Sequence, residues 1–275
     1  MKLTVLGSGS TGNAVLLAAN GTHVLVDAGL SARETLRRLA LVGVGPDEID
    51  GVLLTHEHGD HAGGLRVLLK NLNCPVFISG PTREAYIAER RGVSSNEPFK
   101  RADVLRNRVV EIESSRDFQI GAIDFHPFTI PHDAVDNFGF TAIHAGVKVA
   151  TLMDFGHVTT LVEERLRGCA AIVIESNHSR DMLKACEIYH WELKQRILSR
   201  TGHLSNEDVA EWLRNGFDGA ARYVVLAHLS QRANNPFVAK HNAEMALKER
   251  SPLFPADTKI TLSYPKEPTE WIEVH

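Results

Sequence analysis

Short apolar segments separated by turn-forming residues recur along the chain. Near its start, KLTVLG, NAVLLAA and THVLVDAG are separated by SGST and by an Asn20-Gly21 pair, which is typical of a meander of β-strands. Ser31 with Glu34 three residues later predicts the capped start of a helix over SARETLRRLALVG. The pattern then predicts, in order, a strand at GVLLT, a helix at AGGLRVLLKNL, a strand at PVFIS and a helix at TREAYIAERRG.

Eight further strands are predicted after residue 100. They fall at RVVEI, AIDFHPFTI, FTAIHA, KVATLMD, AAIVIES, RYVVLAH, KITLSY and EWIEV. Helices are predicted over residues 182–199 and over 205–215, the second capped by Ser205 with Asp208 three residues later. Strand-rich halves that each end in helices predict a layered α/β fold, with sheets covered by helices. Since no repeat or long linker divides the sequence, we expect one domain over residues 1–275.

The composition is that of an ordered globular protein. Apolar residues make up 43% and charged residues 23% of the 275 residues. The N-terminal apolar run is too short for a signal peptide, and no run approaches the ~20 apolar residues of a membrane helix. The three cysteines are too few and too widely spaced for a disulfide framework or a thiolate metal cluster. A cytoplasmic protein that does not enter a membrane is the simplest interpretation.

The charge pattern bears on possible partners. A formal net charge of −4 argues against a protein that coats nucleic acid. Between Arg83 and Arg108, however, seven Lys or Arg residues accompany only four Asp or Glu residues. Such mixed stretches are usually solvated helix faces, so the local excess permits a polyanionic substrate without requiring one.

A glycine motif near the start resembles a nucleotide-binding fingerprint. Gly7, Gly9 and Gly12 spell G-x-G-x-x-G after a strand, and Asp27 follows Gly7 by 20 residues. The fingerprint needs a helix after its third glycine, whereas AVLLAANG followed by THVLVD predicts a hairpin. We therefore expect no nucleotide cofactor here, and either a simple turn or a loop whose backbone amides approach an anionic substrate. The candidate substrate contacts in this loop are Ser8, Ser10 and Asn13.

The segment LLTHEHGDHAGG carries the strongest chemical signal. His56, His58, Asp60 and His61 form the pattern H-x-H-x-D-H directly after a predicted strand. Imidazole and carboxylate ligands suit divalent metals such as zinc or manganese. Two histidines two residues apart in an extended segment can face one ion, while Asp60 and His61 turn past it toward a second. Glycines at positions 59, 63 and 64 permit this tight backbone path.

Two ions need more ligands than this segment supplies, and candidates follow three other strands. His132 follows HPFTIP, Asp154 ends KVATLMD and His228 ends RYVVLAH. The carboxyl ends of strands are the edge at which such sheets place their sites. We predict that His56, His58 and His132 bind one metal, that Asp60, His61 and His228 bind the second, and that Asp154 bridges the two.

With these residues the chain resembles the metallo-β-lactamase fold. The resemblance implies a four-layer αββα sandwich with two divalent metal ions, zinc or manganese, at one edge. Asp27 in VDAG matches the aspartate that supports the metal loop in that superfamily without binding metal. With Asp60 among the ligands and an acidic bridge at Asp154, the ligand set is similar to that of the hydrolase and nuclease branches. It differs from that of the members that have a cysteine ligand.

Five further motifs narrow the resemblance to the YycJ/WalJ-like exonuclease subgroup: GSGSTGNA, PHDA, ESNH, GHLSN and AHLSQRANNP, in that order. The subgroup implies a 5′-to-3′ exonuclease on double-stranded DNA, linked to DNA repair, whose substrate is a DNA end. The chain departs from the subgroup at Met153, where Thr or Ser is usual before the aspartate. It departs again at Ser179-Arg180, which separates ESNH from Asp181. Neither departure removes a predicted ligand.

Two metal ions would activate a shared water molecule and stabilise charge on the phosphoryl oxygens. Asp60 and His203 are the predicted catalytic residues, His203 as general acid or phosphate contact, with helix capping as its alternative role. Glu175 could line the same cleft or be structural. The remaining candidate substrate contacts are His178, Ser205 and Asn206, the last two at a helix N-terminus suited to anions.

Other functions share these ligands. A transfer-RNA 3′-processing endonuclease carries an extended arm for its RNA, and no such glycine- and proline-rich insertion occurs here. A cyclic phosphodiesterase or a thioester hydrolase of the glyoxalase type would use the same metals. The alternative from a different functional class is a metal-binding protein without catalytic activity. The full ligand set disfavours this alternative. The sequence leaves the oligomeric state open.

Overall fold

The computed structural model describes residues 1–88, 97–250 and 257–275. The strands are β1 Lys2–Gly7, β2 Ala14–Ala19, β3 Thr22–Val26, β4 Gly51–Leu53, β5 Val76–Ile78, β6 Val109–Glu111, β7 Phe118–Ile120, β8 Ile123–Thr129, β9 Phe138–His144, β10 Val147–Leu152, β11 Ala171–Glu175, β12 Tyr223–Ala227, β13 Lys259–Leu262 and β14 Ile272–Glu273. The helices are α1 Ala32–Leu41, α2 Gly59–Ala62, α3 Leu65–Leu68, α4 Gly80–Ala88, α5 Glu97–Leu105, α6 Thr160–Leu166, α7 Arg180–Ala185, α8 Trp191–Ile197, α9 Asn206–Asn215 and α10 Pro236–Lys248.

The strands form two mixed sheets of seven strands each. The first has the order β14-β1-β2-β3-β4-β5-β6, and the second has the order β13-β12-β11-β10-β9-β8-β7. In each sheet an antiparallel part continues into a run of parallel strands, β3 to β6 in the first and β10 to β13 in the second. Parallel neighbours have their carboxyl ends at the same edge, so each sheet offers one edge at which loops can meet.

Alternation along the strands explains how the layers pack. In β2, Val15 and Leu17 join a core cluster that also contains residues of the second sheet, such as Phe140 and Val173. Leu16, between them, faces the other way and packs in a cluster with Leu39 of α1. Strands buried on both faces in this manner need helices on their outer side.

The second sheet is covered in the same way. Ile172 and Ile174 of β11 pack with Val162 of α6, Val209 of α9 and Ala239 of α10. The result is two sheets packed face to face with helices outside both, and the α/β, four-layer αββα prediction is confirmed.

Several predicted helices differ in extent from those observed. The helix predicted over 182–199 is two short helices, α7 and α8, because Cys186 and His190 adopt extended backbone angles between them. The helix predicted at AGGLRVLLKNL is likewise shorter, since Gly63 and Gly64 separate α2 from α3. The predicted helix at TREAYIAERRG corresponds to α4, and its residues beyond 88 lie outside the described residues.

Five of the described strands and helices were not predicted, namely β7, α2, α5, α6 and α10. Helix α10 had a readable start signal, since Asn235 caps it, accepting a hydrogen bond from Phe237 N at 2.9 Å, and Pro236 occupies the first turn. In the described part of the chain, no helix combines the length and apolar character needed to cross a bilayer.

Candidate metal centre

The site lies where the carboxyl ends of strands from both sheets meet. The first sheet contributes Asp27 after β3 and the histidine-rich segment after β4, while the second contributes the residues that follow β8, β10, β11 and β12. Asp27, Asp154 and His228 have positive φ angles of 64°, 59° and 53°. Non-glycine residues rarely adopt this conformation, and residues held in it cluster at functional sites. At each of these three residues the positive φ angle turns the chain sharply at the end of a strand.

His56, His58, His132 and Asp154 form the first cluster, with one ligand atom of each within 4.8 Å of the others. The Nε2 atom of His56 lies 3.3 Å from Asp154 Oδ2, and His132 Nε2 lies 3.7 Å from the same oxygen. His58 Nδ1 lies 3.3 Å from His132 Nε2. The carbonyl of Gly202 is 3.2 Å from His132 Nδ1, which leaves Nε2 directed at the cluster.

Asp60, His61, Asp154 and His228 form the second cluster within the same 4.8 Å limit. His61 Nε2 lies 3.1 Å from Asp154 Oδ2, and His228 Nε2 lies 3.3 Å from Asp60 Oδ2. Asp154 is thus common to both clusters, through the same carboxylate oxygen. The structure brings together all seven residues predicted as ligands, in the two groups into which the sequence divided them.

The chemistry of this donor set fits a divalent cation. The Nε2 atoms of His56 and His228 are buried and make no hydrogen bond to any described residue. No described Lys or Arg forms an ion pair with Asp60, Asp154 or Glu175, although all three carry negative charge at neutral pH. Burial acts to raise the pKa of Asp60, but the neighbouring imidazoles of His228 and His61 lower it to about 2. Buried carboxylates with unpaired imidazole lone pairs indicate a divalent-metal site.

Asp27 supports this site from behind without facing it. Its carboxylate lies 2.7 Å from His61 Nδ1 and accepts hydrogen bonds from the backbone and hydroxyl of Thr55, at 2.9 and 3.0 Å. The Thr55 hydroxyl also lies 2.9 Å from His56 Nδ1. Carboxylates in this position fix the tautomer and orientation of a ligand histidine. The sequence indicated the role of Asp27 but not that of Thr55.

We expect Asp27→Asn to weaken metal affinity by about 10- to 100-fold, because the carboxylate that orients His61 is lost. Asn tolerates the positive φ of 64° at this position, so the backbone should keep its path. Competition titration with a chromophoric chelator measures the affinity. Asp124→Asn, on the exposed side of β8, is the matched control. An unchanged affinity for Asp27→Asn would contradict the supporting role.

Glu175 is a buried acceptor that joins two histidines. Its Oε1 lies 2.8 Å from both His203 Nδ1 and His228 Nδ1, and its Oε2 accepts from the amides of Phe155 and Leu204 at 3.1 Å. Burial acts to raise the pKa of Glu175, but the charge and hydrogen bonding of His203 lower it to about 2. The sequence left its role open, although an acid at the end of the buried segment AIVIE was a signal of the same kind as Asp154.

His203 lies at the open side of the cluster. Its side chain is 21% exposed, and its ring centroid is 5.4 Å from that of His132 and 5.3 Å from that of His228. Partial burial acts to lower its pKa, but the carboxylates of Glu175 and Asp154 raise it to about 10. Helix α9 is capped by Ser205 and not by His203, since the Ser205 hydroxyl accepts a hydrogen bond from Asp208 N at 3.1 Å.

The glycine-rich loop after β1 packs against the metal loop. A strand, β2, follows its third glycine, so the structure agrees with the predicted hairpin and not with a dinucleotide fingerprint. Asn13 N donates to the Asp60 carbonyl at 2.7 Å, and a Cβ at Gly29 would lie 1.7 Å from that carbonyl oxygen. Gly29 therefore allows the close approach that holds the metal loop in place.

Two of the three predicted contacts in this loop are buried. Ser8 accepts from His228 N at 2.7 Å and donates to Asn13 Oδ1 at 2.8 Å. Asn13 Nδ2 lies 3.0 Å from His61 Nε2. Both side chains are buried and contact histidines of the site, and their predicted contact with substrate stays a prediction. Ser10 is exposed, as that prediction requires.

The predicted contacts near α9 are buried as well. Ser205 is occupied as the helix cap, and Asn206 Oδ1 accepts from Ser176 Oγ at 2.7 Å while its Nδ2 donates to Asn234 at 2.8 Å. His178 is 1% exposed, and neither ring nitrogen has a partner among the described residues. Burial lowers its pKa to about 4 and keeps it neutral. All three side chains are buried, and their predicted contact with substrate stays a prediction.

Comparisons with known proteins agree with this geometry. The family model described as the metallo-beta-lactamase superfamily matches residues 7–168. The chain is 30% identical over 270 residues to exodeoxyribonuclease YycJ of Bacillus anthracis, covering 98% of each chain. It is 32% identical over 233 residues to exodeoxyribonuclease WalJ of Streptococcus pneumoniae, covering 85% of this chain and 83% of the relative. Among solved structures, the metallo-beta-lactamase fold protein YhfI from Bacillus subtilis aligns over 98% of both chains with a TM-score of 0.71 at 12% identity.

Proposed function

The chain belongs to the metallo-β-lactamase superfamily and is a metal-dependent hydrolase similar to the YycJ/WalJ exonucleases, and from this we propose that it is a dinuclear-metal phosphodiesterase. Its substrate in this proposal is double-stranded DNA, from which it removes nucleotides in the 5′-to-3′ direction. Processing of DNA ends for repair is the context in which such an activity would be used. The full-length similarity to relatives named exodeoxyribonucleases supports this choice of substrate over an RNA or a thioester.

The observation that carries the dinuclear part of the proposal is the position of Asp154. Its Oδ2 lies 3.3 Å from His56 Nε2 and 3.1 Å from His61 Nε2, so one oxygen faces both clusters. We assign the first ion to His56, His58 and His132, the second to Asp60, His61 and His228, and the bridge to Asp154. Imidazole and carboxylate ligands in this number suit zinc or manganese.

When bound, such a pair of ions supplies an activated water and stabilises charge on the phosphoryl oxygens. The residues of the chain provide the remaining functions. Asp60 and Asp154 would hold the ions, and His203 lies beside these carboxylates with its Nδ1 hydrogen-bonded to Glu175. That hydrogen bond orients the ring, and the carboxylates of Glu175 and Asp154, which raise the pKa of His203 to about 10, keep the ring doubly protonated. Nε2 therefore carries the proton that the leaving 3′-oxygen requires.

Turnover by the purified protein tests this function. We expect it to release nucleotides from a linear duplex bearing a 5′-phosphate, to lose that activity on chelation, and to regain it with Mn²⁺ or Zn²⁺. A closed circular duplex of the same sequence is the control, because an exonuclease requires an end. S-lactoylglutathione and a precursor transfer RNA are the competing substrates. Faster hydrolysis of either one, or equal cutting of the closed circle, would overturn the proposal.

A further inference from the structure

Helix α8 ends against the first metal cluster. Asp133 follows the proposed ligand His132, and its backbone amide donates to the carbonyl of Thr201 at 3.0 Å. The amide of His203 donates to the carbonyl of Ile197, the last residue of α8, also at 3.0 Å. The carboxyl end of the helix is thus tied to both sides of the candidate site.

Arg196 lies on the last turn of this helix, and part of its guanidinium group makes no hydrogen bond to the described residues. Its Nε donates to Asp133 Oδ2, and its side chain remains 56% exposed. Neither of its Nη atoms has a partner among the described residues. Arg38 shows the contrast: it is 5% exposed, and its two Nη atoms donate to the carbonyls of Leu6 and Pro265 at 2.9 Å. Arg38 is committed to the fold, whereas Arg196 presents most of its guanidinium to solvent beside the site.

The surroundings of Arg196 are acidic. The hydrogen bond with Asp133 raises its pKa, and the charges of Asp154 and Asp60 act in the same direction. Metal ions in the two clusters would offset the carboxylates that hold them, and a guanidinium at the edge of the site adds a further cationic contact for a polyanion. A guanidinium with two free Nη groups matches a phosphate group in geometry and charge.

We propose that Arg196 binds the backbone phosphate next to the scissile bond, through its two Nη atoms, while Asp133 holds its Nε. The inference rests on the proposed function, because it assumes a nucleic acid substrate in the cleft. It makes Arg196 a substrate-binding residue that favours a polymer with neighbouring phosphates over a small uncharged ester. Asp133 is the positioning residue that aims the guanidinium.

Binding measurements test this role separately from turnover. Fluorescence anisotropy would use a duplex with a 5′-phosphate and phosphorothioate terminal linkages, in the presence of Mn²⁺. We expect Arg196→Gln to raise the Kd about tenfold and to reduce the slope of log Kd against log salt concentration by about 0.9. Arg196→Lys should recover part of the affinity. Arg214→Gln is the matched control, since Arg214 forms a comparable ion pair with Glu249 at 2.7 Å on the surface away from the site.

The outcomes separate the two proposals. If Arg196→Gln weakens binding without changing the salt slope, Arg196 acts only by positioning Asp133 and the inference is wrong. If it binds the duplex as tightly as Arg214→Gln does, or if the wild-type protein binds no duplex, the inference is wrong as well. Binding that depends on Arg196 in a protein that does not cleave DNA would support the inference and overturn the proposed function.

Discussion

Asp154→Asn is expected to lower DNA turnover by at least about a thousandfold, because the loss removes several kcal/mol of transition-state stabilisation. Asp154 is the one residue common to both clusters, so its carboxylate cannot be replaced by a neighbour without rearranging both. Asn keeps the size of the side chain and tolerates the φ of 59°. The hydrogen bond from Asn137 Nδ2 to the backbone carbonyl, at 2.7 Å, is also retained. The effect should therefore come from the lost charge.

Metal content distinguishes this result from a general loss of structure. Inductively coupled plasma mass spectrometry should find fewer ions per chain in Asp154→Asn than in the wild type, with an unchanged circular dichroism spectrum. His58→Ala, which removes a ligand from the first cluster alone, should abolish turnover but retain about one ion, since the second cluster is intact. Two ions retained in Asp154→Asn with turnover near the wild-type rate would exclude the bridging role.

The second large effect is expected for His203→Gln, which should lower kcat by about 10²- to 10⁴-fold, the usual range for loss of a general acid. Metal content should stay at the wild-type value, because His203 is not among the seven assigned ligands. Glu175→Gln should produce a smaller loss of kcat, because the imidazole ring of His203 is still present but less well oriented. Steady-state kinetics on a 5′-phosphorylated duplex would measure kcat, and single-turnover kinetics would show whether the loss lies in the chemical step.

The leaving group separates the two roles considered for His203. A phosphodiester that releases p-nitrophenolate needs no proton at the leaving oxygen, so a general acid contributes little to its hydrolysis. The loss in His203→Gln should therefore shrink with this substrate. An equal loss with both substrates would indicate that His203 contacts the phosphate instead.

The candidate ligands could be predicted because the fold places them by a simple rule. His132, Asp154 and His228 each follow an apolar strand, and the carboxyl ends of parallel strands share an edge. The division of the ligands into two groups followed from the short spacing of His56 and His58 and the turn that Gly59 permits. The order of strands and helices likewise predicted sheets covered by helices, and in the structure β2 is buried on both faces.

The roles of the residues that surround the candidate ligands could not be predicted from the sequence in the same way. Ser8 and Asn13 lie in a polar, glycine-rich loop that reads as exposed, yet the loop is covered by the metal loop because Gly29 lets the two backbones meet. Glu175 contacts His203, which is 28 residues away, and His228, which is 53 residues away, and no local pattern indicates contacts between positions so far apart. The open donors of Arg196 depend on how α8 is placed against Asp133. All of these contacts depend on tertiary packing between segments that are distant in the sequence.

The candidate ligands come from both sheets, with His56, His58, Asp60 and His61 following β4 and the other three following strands of the second sheet. A cation held between them acts as a reversible cross-link between two halves of the molecule that are otherwise joined largely by apolar contacts. Ligand binding stabilises a folded chain by about 2.7 kcal/mol at a hundredfold excess over the dissociation constant. Removal of the metal should therefore lower the free energy of unfolding as well as the rate of hydrolysis.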